Sequence, residues 1–126
     1  MRVYVAGPYS KGHVNENVRA AVAAGERLLK AGHTPYIPHL HHFWDLLYPG
    51  PQEQWLKLDL EWLHQCEVVL RLPGYSAGAD LEVATADQLG IPVFYNVWDL
   101  APGPENAVPE KRPHLERAEL CWCTTS

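Results

Sequence analysis

The stretch GYSAGADLEVATA, residues 74–86, sets a hydroxyl, two glycines and two carboxylates close together. Gly74 and Gly78 let backbone approach a ligand, and a helix starting near Ala77 leaves its first N–H groups unpaired, an arrangement suited to an anion. Ser76 adds a hydroxyl there; it can cap the helix or contact a phosphate, and the two roles are compatible. Asp80 and Glu82 stand two positions apart, hence about 200° apart around a helix, so only one can face a cleft. Either is also a favourable residue near a helix start, where the dipole stabilises the anion. Two further segments carry chemistry-bearing groups: GPYS, residues 7–10, and PHLHHF, residues 38–43. No cysteine or HExxH pattern accompanies His39, His41 and His42, which argues against a metal site and for pocket walls, with Phe43 and Trp44 able to stack on a base. Arg19 and Arg71 could reach a phosphate, and Asn96, just past the last apolar run, could reach a substrate. Trp55 and Trp62, seven apart on one helical face, read as packing or subunit contacts.

The elements that must position these groups follow from periodicity. Arg2–Ala6 (RVYVA) is a β-branched and aromatic run ending in turn residues, the pattern of a strand. From Asn15 to Ala31 apolar and alanine positions Val18, Ala21, Val22, Leu28 and Leu29 recur at helical spacing, and Gly32 stops the helix. Thr34–Ile37 reads as a second strand. PHLHHFWDLLYPGP has no sustained period and reads as a loop with at most one helical turn. Gln52–Gln65 restores a helical period through Trp55, Leu58, Trp62 and Leu63. Glu67–Leu72 is a third strand, Ala77–Leu89 a helix expected to pack Leu81, Ala84 or Thr85, and Leu89 on the sheet, and Ile91–Tyr95 a fourth strand. This β-α-β-α-β-α-β order predicts an α/β fold, a three-layer sandwich with a parallel sheet of flavodoxin-like or Rossmann-like form. Ligands of such sheets bind beyond the carboxyl ends of the strands, where the three chemistry-bearing loops converge.

The 126 residues suit one domain with a core at 1–96 and a Pro-rich extension at 97–126, and 47% hydrophobic content is enough for a single core. A net charge of -5 offers no basic surface for a nucleic acid polymer, though a single nucleotide remains a suitable ligand. Cys66, Cys121 and Cys123 match neither a disulfide framework nor a paired zinc motif, and no secretory leader pattern opens the chain, so the cytoplasm is the expected address. Charges or prolines interrupt every apolar run before the roughly 18 residues a membrane span needs.

VYVAGPYS near the start and LDLEWLHQCEVVLRLPGYSAGADLEVATADQLGIPVF in the second half resemble the nucleoside 2-deoxyribosyltransferase superfamily over about residues 2–95. The pattern S-x-G-A-x-x-E at residues 76–82 is similar to a small branch of it and to nucleoside 5′-monophosphate N-glycosidases. The resemblance implies cleavage of the N-glycosidic bond between a base and a (deoxy)ribose through a covalent glycosyl-glutamate. By motif position Glu82 is then the nucleophile, kept anionic by the helix dipole, Asp59 the proton donor to the leaving base, and Tyr9 the residue orienting the nucleophile. Gly7 and Pro8 would shape the sugar pocket, Ser76 and Gly78 would hold phosphate, and His41 and Asn96 would contact substrate. Relatives acting on free nucleosides tend to carry an acid where Ser76 stands, so the resemblance favours a nucleotide substrate. No metal or organic cofactor is expected, and a homodimer or higher homo-oligomer is. The reading from a different class is a nucleotide-binding or sensing module without turnover.

Overall fold

The computed structural model describes residues 1–108. The element order is β1 (Arg2–Ala6), α1 (Val14–Lys30), β2 (Thr34–Tyr36), α2 (His41–Leu47), α3 (Gln52–Leu63), β3 (Val68–Arg71), α4 (Ala77–Leu89) and β4 (Val93–Phe94), with 3₁₀ turns at Pro38–Leu40, Val97–Asp99 and Pro104–Asn106. The strands form one sheet in the order β2-β1-β3-β4, and every pairing is parallel. On one face, α1 brings Ala21, Ala24 and Leu28 onto Val3, Val5, Val68 and Leu70; on the other, Leu63 of α3 and Ala79 and Ala86 of α4 cover Tyr4, Ala6 and Val69. This is the α/β three-layer arrangement that alternating strands and helices predict.

Four details depart from the sequence reading. PHLHHFWDLL forms a 3₁₀ turn and then α2, not a loop; α2 buries none of its residues, so no apolar period marked it. On α4 the covered face is Ala79, Glu82 and Ala86, while Leu81 and Leu89 are exposed: alanines let the helix lie close to the sheet, where leucines would hold it off. On α1, Val22 and Leu29 likewise face outward. The fourth strand is only Val93–Phe94, because a central strand flanks it on one side alone. Past β4 the chain re-enters the core through Leu100 and Ala101, and His33 Nε2 meets the Leu100 carbonyl at 2.7 Å. Cys121 and Cys123 and the remainder of the extension lie outside the described residues. Among the described residues no helix is long and apolar enough to cross a membrane.

The order β2-β1-β3 makes the loops after β1 and β3 part to opposite faces, which opens a crevice between them. At its base the two loops touch. A Cβ on Gly7 would stand 2.9 Å from Leu72 Cβ, and one on Gly74, whose φ is +113°, would stand 2.8 Å from Pro8 Cγ. The seat of α4 is equally tight, so Ala86→Leu is expected to lower stability by about 1–3 kcal/mol through overpacking, measured by urea unfolding, whereas Leu89→Ala, on the exposed side, changes it by less than about 1 kcal/mol.

Candidate active site

Two carboxyls descend into one cavity of about 730 Å³ at the carboxyl edge of the sheet, Glu82 from α4 and Asp59 from α3. They are 7% and 8% exposed, so neither is an ordinary surface acid. Asp80, by contrast, points outward and pairs with Arg71 at 3.3 Å. The choice that the 200° separation left open is thus settled in favour of Glu82.

Each carboxyl hangs on a tyrosine. Tyr4 donates its hydroxyl proton to Glu82 Oε2, and Tyr36 donates to Asp59 Oδ1 at 3.2 Å. Tyr4 and Tyr36 are register partners on β1 and β2, so both side chains leave the same face of the sheet, with ring centroids 5.5 Å apart. Trp62 stacks on Tyr36 from α3. Neither Tyr4 nor Tyr36 was singled out from the sequence. The β-branched and aromatic run RVYVA marked the strand that carries Tyr4, but a tyrosine in a strand reads first as core.

Burial dominates the electrostatics. It pushes the Glu82 carboxyl up to about 8, and it pushes Asp59 up to about 7 although the Tyr36 hydrogen bond opposes it. The expectation that the helix dipole keeps Glu82 anionic is therefore reversed. Glu82 sits beyond the first turn of α4, where the dipole has faded and desolvation prevails.

Ser76 is the N-cap of α4; its Oγ accepts from Ala79 N at 3.1 Å, and its hydroxyl proton stays available to a ligand. Gly78 presents a bare Cα to the cavity, with Ser76 Oγ, at 3.9 Å, the one atom a Cβ would meet; Lys11, which no motif pointed to, also lines the cavity, its Nζ 5.9 Å from the Tyr75 ring centre. Arg71 is no phosphate ligand: its guanidinium is spent on the carbonyls of Leu72 and Gly74 and on Asp80, bracing the loop that leads into α4. Arg19 is exposed on α1 and is not part of the cavity wall formed by the described residues.

Tyr9 lines the cavity, yet its hydroxyl meets His42 Nδ1 at 2.7 Å, and Tyr4 is the tyrosine on Glu82. Gly7 belongs to the cavity lining; Pro8 lies behind it, its carbonyl 2.9 Å from His39 Nε2. His39, His41 and His42 all line the cavity, since helical winding turns them inward where a loop would have scattered them. Trp55, read from sequence as a packing residue, is part of the wall: it stacks on His41 and donates Nε1–H to Asp45 Oδ1 at 3.0 Å. Asn96 is exposed away from the cavity and caps the following 3₁₀ turn through Trp98 N. Among the described residues no group of three or more His, Cys, Asp or Glu is arranged to hold a metal ion.

A family model described as "Domain of unknown function (DUF7768)" matches residues 1–96. The chain belongs to this family. The match ends with β4 and so covers every element that supplies the cavity, whereas no curated protein matches the chain. Among solved structures, a 2-deoxyribosyltransferase from Bacillus psychrosaccharolyticus superposes with a TM-score of 0.60 at 21% identity, covering 74% of this chain and 69% of its own. This DUF7768 chain thus shares the fold of that enzyme, which is the fold that the sequence resemblance implied.

Because the folded Glu82 holds its proton more tightly than an unfolded glutamate with the ordinary value of 4.5, the native state loses stability as pH rises from about 4.5 to about 8. Glu82→Gln removes this loss. The variant is expected to equal the wild type in melting temperature near pH 4 and to exceed it by a widening margin up to about pH 9, followed by calorimetry across that range.

Proposed function

We propose that this protein cleaves the N-glycosidic bond of a (deoxy)nucleoside 5′-monophosphate, passing the sugar through a covalent ester on Glu82 to water or to a second base. The observation that carries the reading is the pair of buried carboxyls in one cavity, each held by a tyrosine from an adjacent strand. The shared fold with a 2-deoxyribosyltransferase and the motif at residues 76–82 support the same choice.

In this reaction the Glu82 carboxylate attacks the anomeric carbon while the glycosidic electron pair withdraws into the base, and Asp59 gives that base its proton. Tyr4 fixes the attacking oxygen. In the hydrolytic branch water then attacks the sugar carbon of the ester, Asp59 takes a proton from that water, and Glu82 is released. The free N–H groups of α4, the Ser76 hydroxyl, the bare Cα of Gly78 and the Lys11 ammonium form the end of the cavity suited to a 5′-phosphate. The exposed Phe43, Trp44, Leu46, Leu47 and Tyr48 of α2 and the turn after it support self-association into a homodimer.

One observation favours a second reading, a nucleotide-sensing module: a Glu82 that keeps its proton up to about 8 is a poor nucleophile at neutral pH. Turnover separates the two. Incubation with a panel of nucleoside and deoxynucleoside monophosphates is expected to release free base, and Glu82→Gln to slow release by at least about 10³-fold; tight binding without release by the wild type supports the sensor instead.

The pH profile carries a further expectation. Activity needs Glu82 ionised, so it falls below about 8, and Asp59 protonated, so it falls above about 7. With the nucleophile Glu82 the weaker acid of the two, kcat/KM should trace a narrow bell centred between these values rather than a broad plateau. Gly78→Ala is expected to fold at least as stably as the wild type, since Gly78 lies in α4 without a positive φ, yet to raise KM for a phosphorylated substrate by about tenfold or more. Steady-state kinetics beside a melting curve checks both halves.

A further inference from the structure

His41 has no part in the steps above, and its surroundings argue against stacking on a base. The ring is sandwiched on Trp55 at 5.2 Å and 28°, with Trp44 and Tyr36 standing edge-on at 5.9 and 6.1 Å. Three aromatic neighbours fix the imidazole in place. So held, its Nδ1 stands 3.1 Å from Asp59 Oδ1, near enough for a hydrogen bond although not aligned for one, and shielded from solvent without any other partner. Its Nε2 lies 3.4 Å from the Tyr36 hydroxyl, which itself donates to the same Oδ1. Both contacts of Asp59 fall on Oδ1, leaving Oδ2 without a partner among the described residues.

We propose that His41 is a positioning residue for the proton donor: its Nδ1–H closes onto Asp59 Oδ1 as the carboxyl releases its proton, keeping Oδ2 turned to the departing base. This rests on the glycosidic reading above. Asp59 begins with its proton on Oδ2. As the bond between sugar and base breaks, that proton moves to a base nitrogen, and negative charge appears on the carboxyl. The Tyr36 O–H and the His41 Nδ1–H, both neutral donors, meet the charge at Oδ1; a catalytic hydrogen bond that is misaligned in the free protein is expected to tighten at this point. When water attacks the sugar ester, the same carboxylate takes its proton and the cycle closes with His41 unchanged. Burial lowers the proton affinity of His41, in keeping with a neutral ring that donates from Nδ1 alone.

The other ionisable groups turned to this cavity are His39 from the 3₁₀ turn before α2, His42 and Asp45 from α2, Glu53 from α3, Tyr75 from the loop before α4, Glu82 from α4, and Lys11 and Tyr9 from the loop after β1. Among the described residues only Tyr36 and His41 come within hydrogen-bond distance of Asp59.

His41→Phe retains a ring against Trp55 but has no N–H; His41→Asn restores an amide N–H near the place of Nδ1. Carboxyl ¹³C NMR of the free protein should show the Asp59 titration midpoint rising by about one pH unit in His41→Phe and returning towards the wild type in His41→Asn. In kinetics, His41→Phe should slow release of natural bases about tenfold or more, yet leave nearly unchanged the release of a nitrophenolate from the matching sugar phosphate, a leaving group that needs no proton. An unmoved Asp59 midpoint in both variants, or equal slowing of both leaving groups, overturns the assignment. If His41→Phe fails to fold, His41→Ala supplies the same comparison of midpoints. A wild type that releases neither leaving group overturns the proposed function and the catalytic half of this inference, while the midpoint shift still decides whether His41 governs the Asp59 proton.

Discussion

Parallel pairing of β1 with β2 sets Tyr4 beside Tyr36, and the site depends on that register. The two hydroxyls emerge on one face of the sheet and hold Glu82 and Asp59, which arrive from different helices. A slip of one residue in either strand would turn its tyrosine to the α1 side and leave a buried carboxyl unsupported. The surrounding packing can be seen as the means of keeping this alignment. Ala79 and Ala86 bring α4 close enough for Glu82 to reach Tyr4, and Trp62 backs Tyr36 from α3.

Desolvation then decides the chemistry. Both acids are more deeply shielded than their hydrogen bonds compensate, so each holds its proton to an unusually high pH. Glutamate is the more affected of the two even though it belongs to the helix whose N-terminus faces the cavity. A dipole acting within the first turn cannot offset burial one turn further on. The result is a site whose two acids differ little in proton affinity, a state in which one can carry a charge while the other stays neutral.

Much of this was legible in the residues. The alternation of apolar strands with helical periods determines a parallel sheet, the glycine-serine turn marks the start of α4, and the 200° argument restricts the cleft to one of two acids. Resemblance, rather than spacing, singled out Glu82 and Asp59. The failures have specific causes. The helix α2 was invisible because its apolar residues face outward, so no period betrays a buried side. The covered face of α4 was misassigned because larger leucines outweigh alanines in any hydrophobicity count, whereas close approach selects the smaller residue. Tyr4 escaped notice since an apolar run with a tyrosine in a strand reads first as core, whether or not its hydroxyl holds a carboxyl, while Tyr9, in a more conspicuous loop, bonds His42.

The histidine-rich wall of the cavity is built on a segment that contributes nothing to the core. The seven residues of α2 bury no side chain and are fastened by ring edges and by Asp45, which accepts from Gly50 N and Trp55. Changes in this helix can therefore reshape what the cavity accepts at small expense to folding, while the tyrosine-held acids stay fixed on the sheet. Apart from His41, whose ring is held against Trp55 beside Asp59, the residues of α2 form a part of the wall that is separable from the two buried acids.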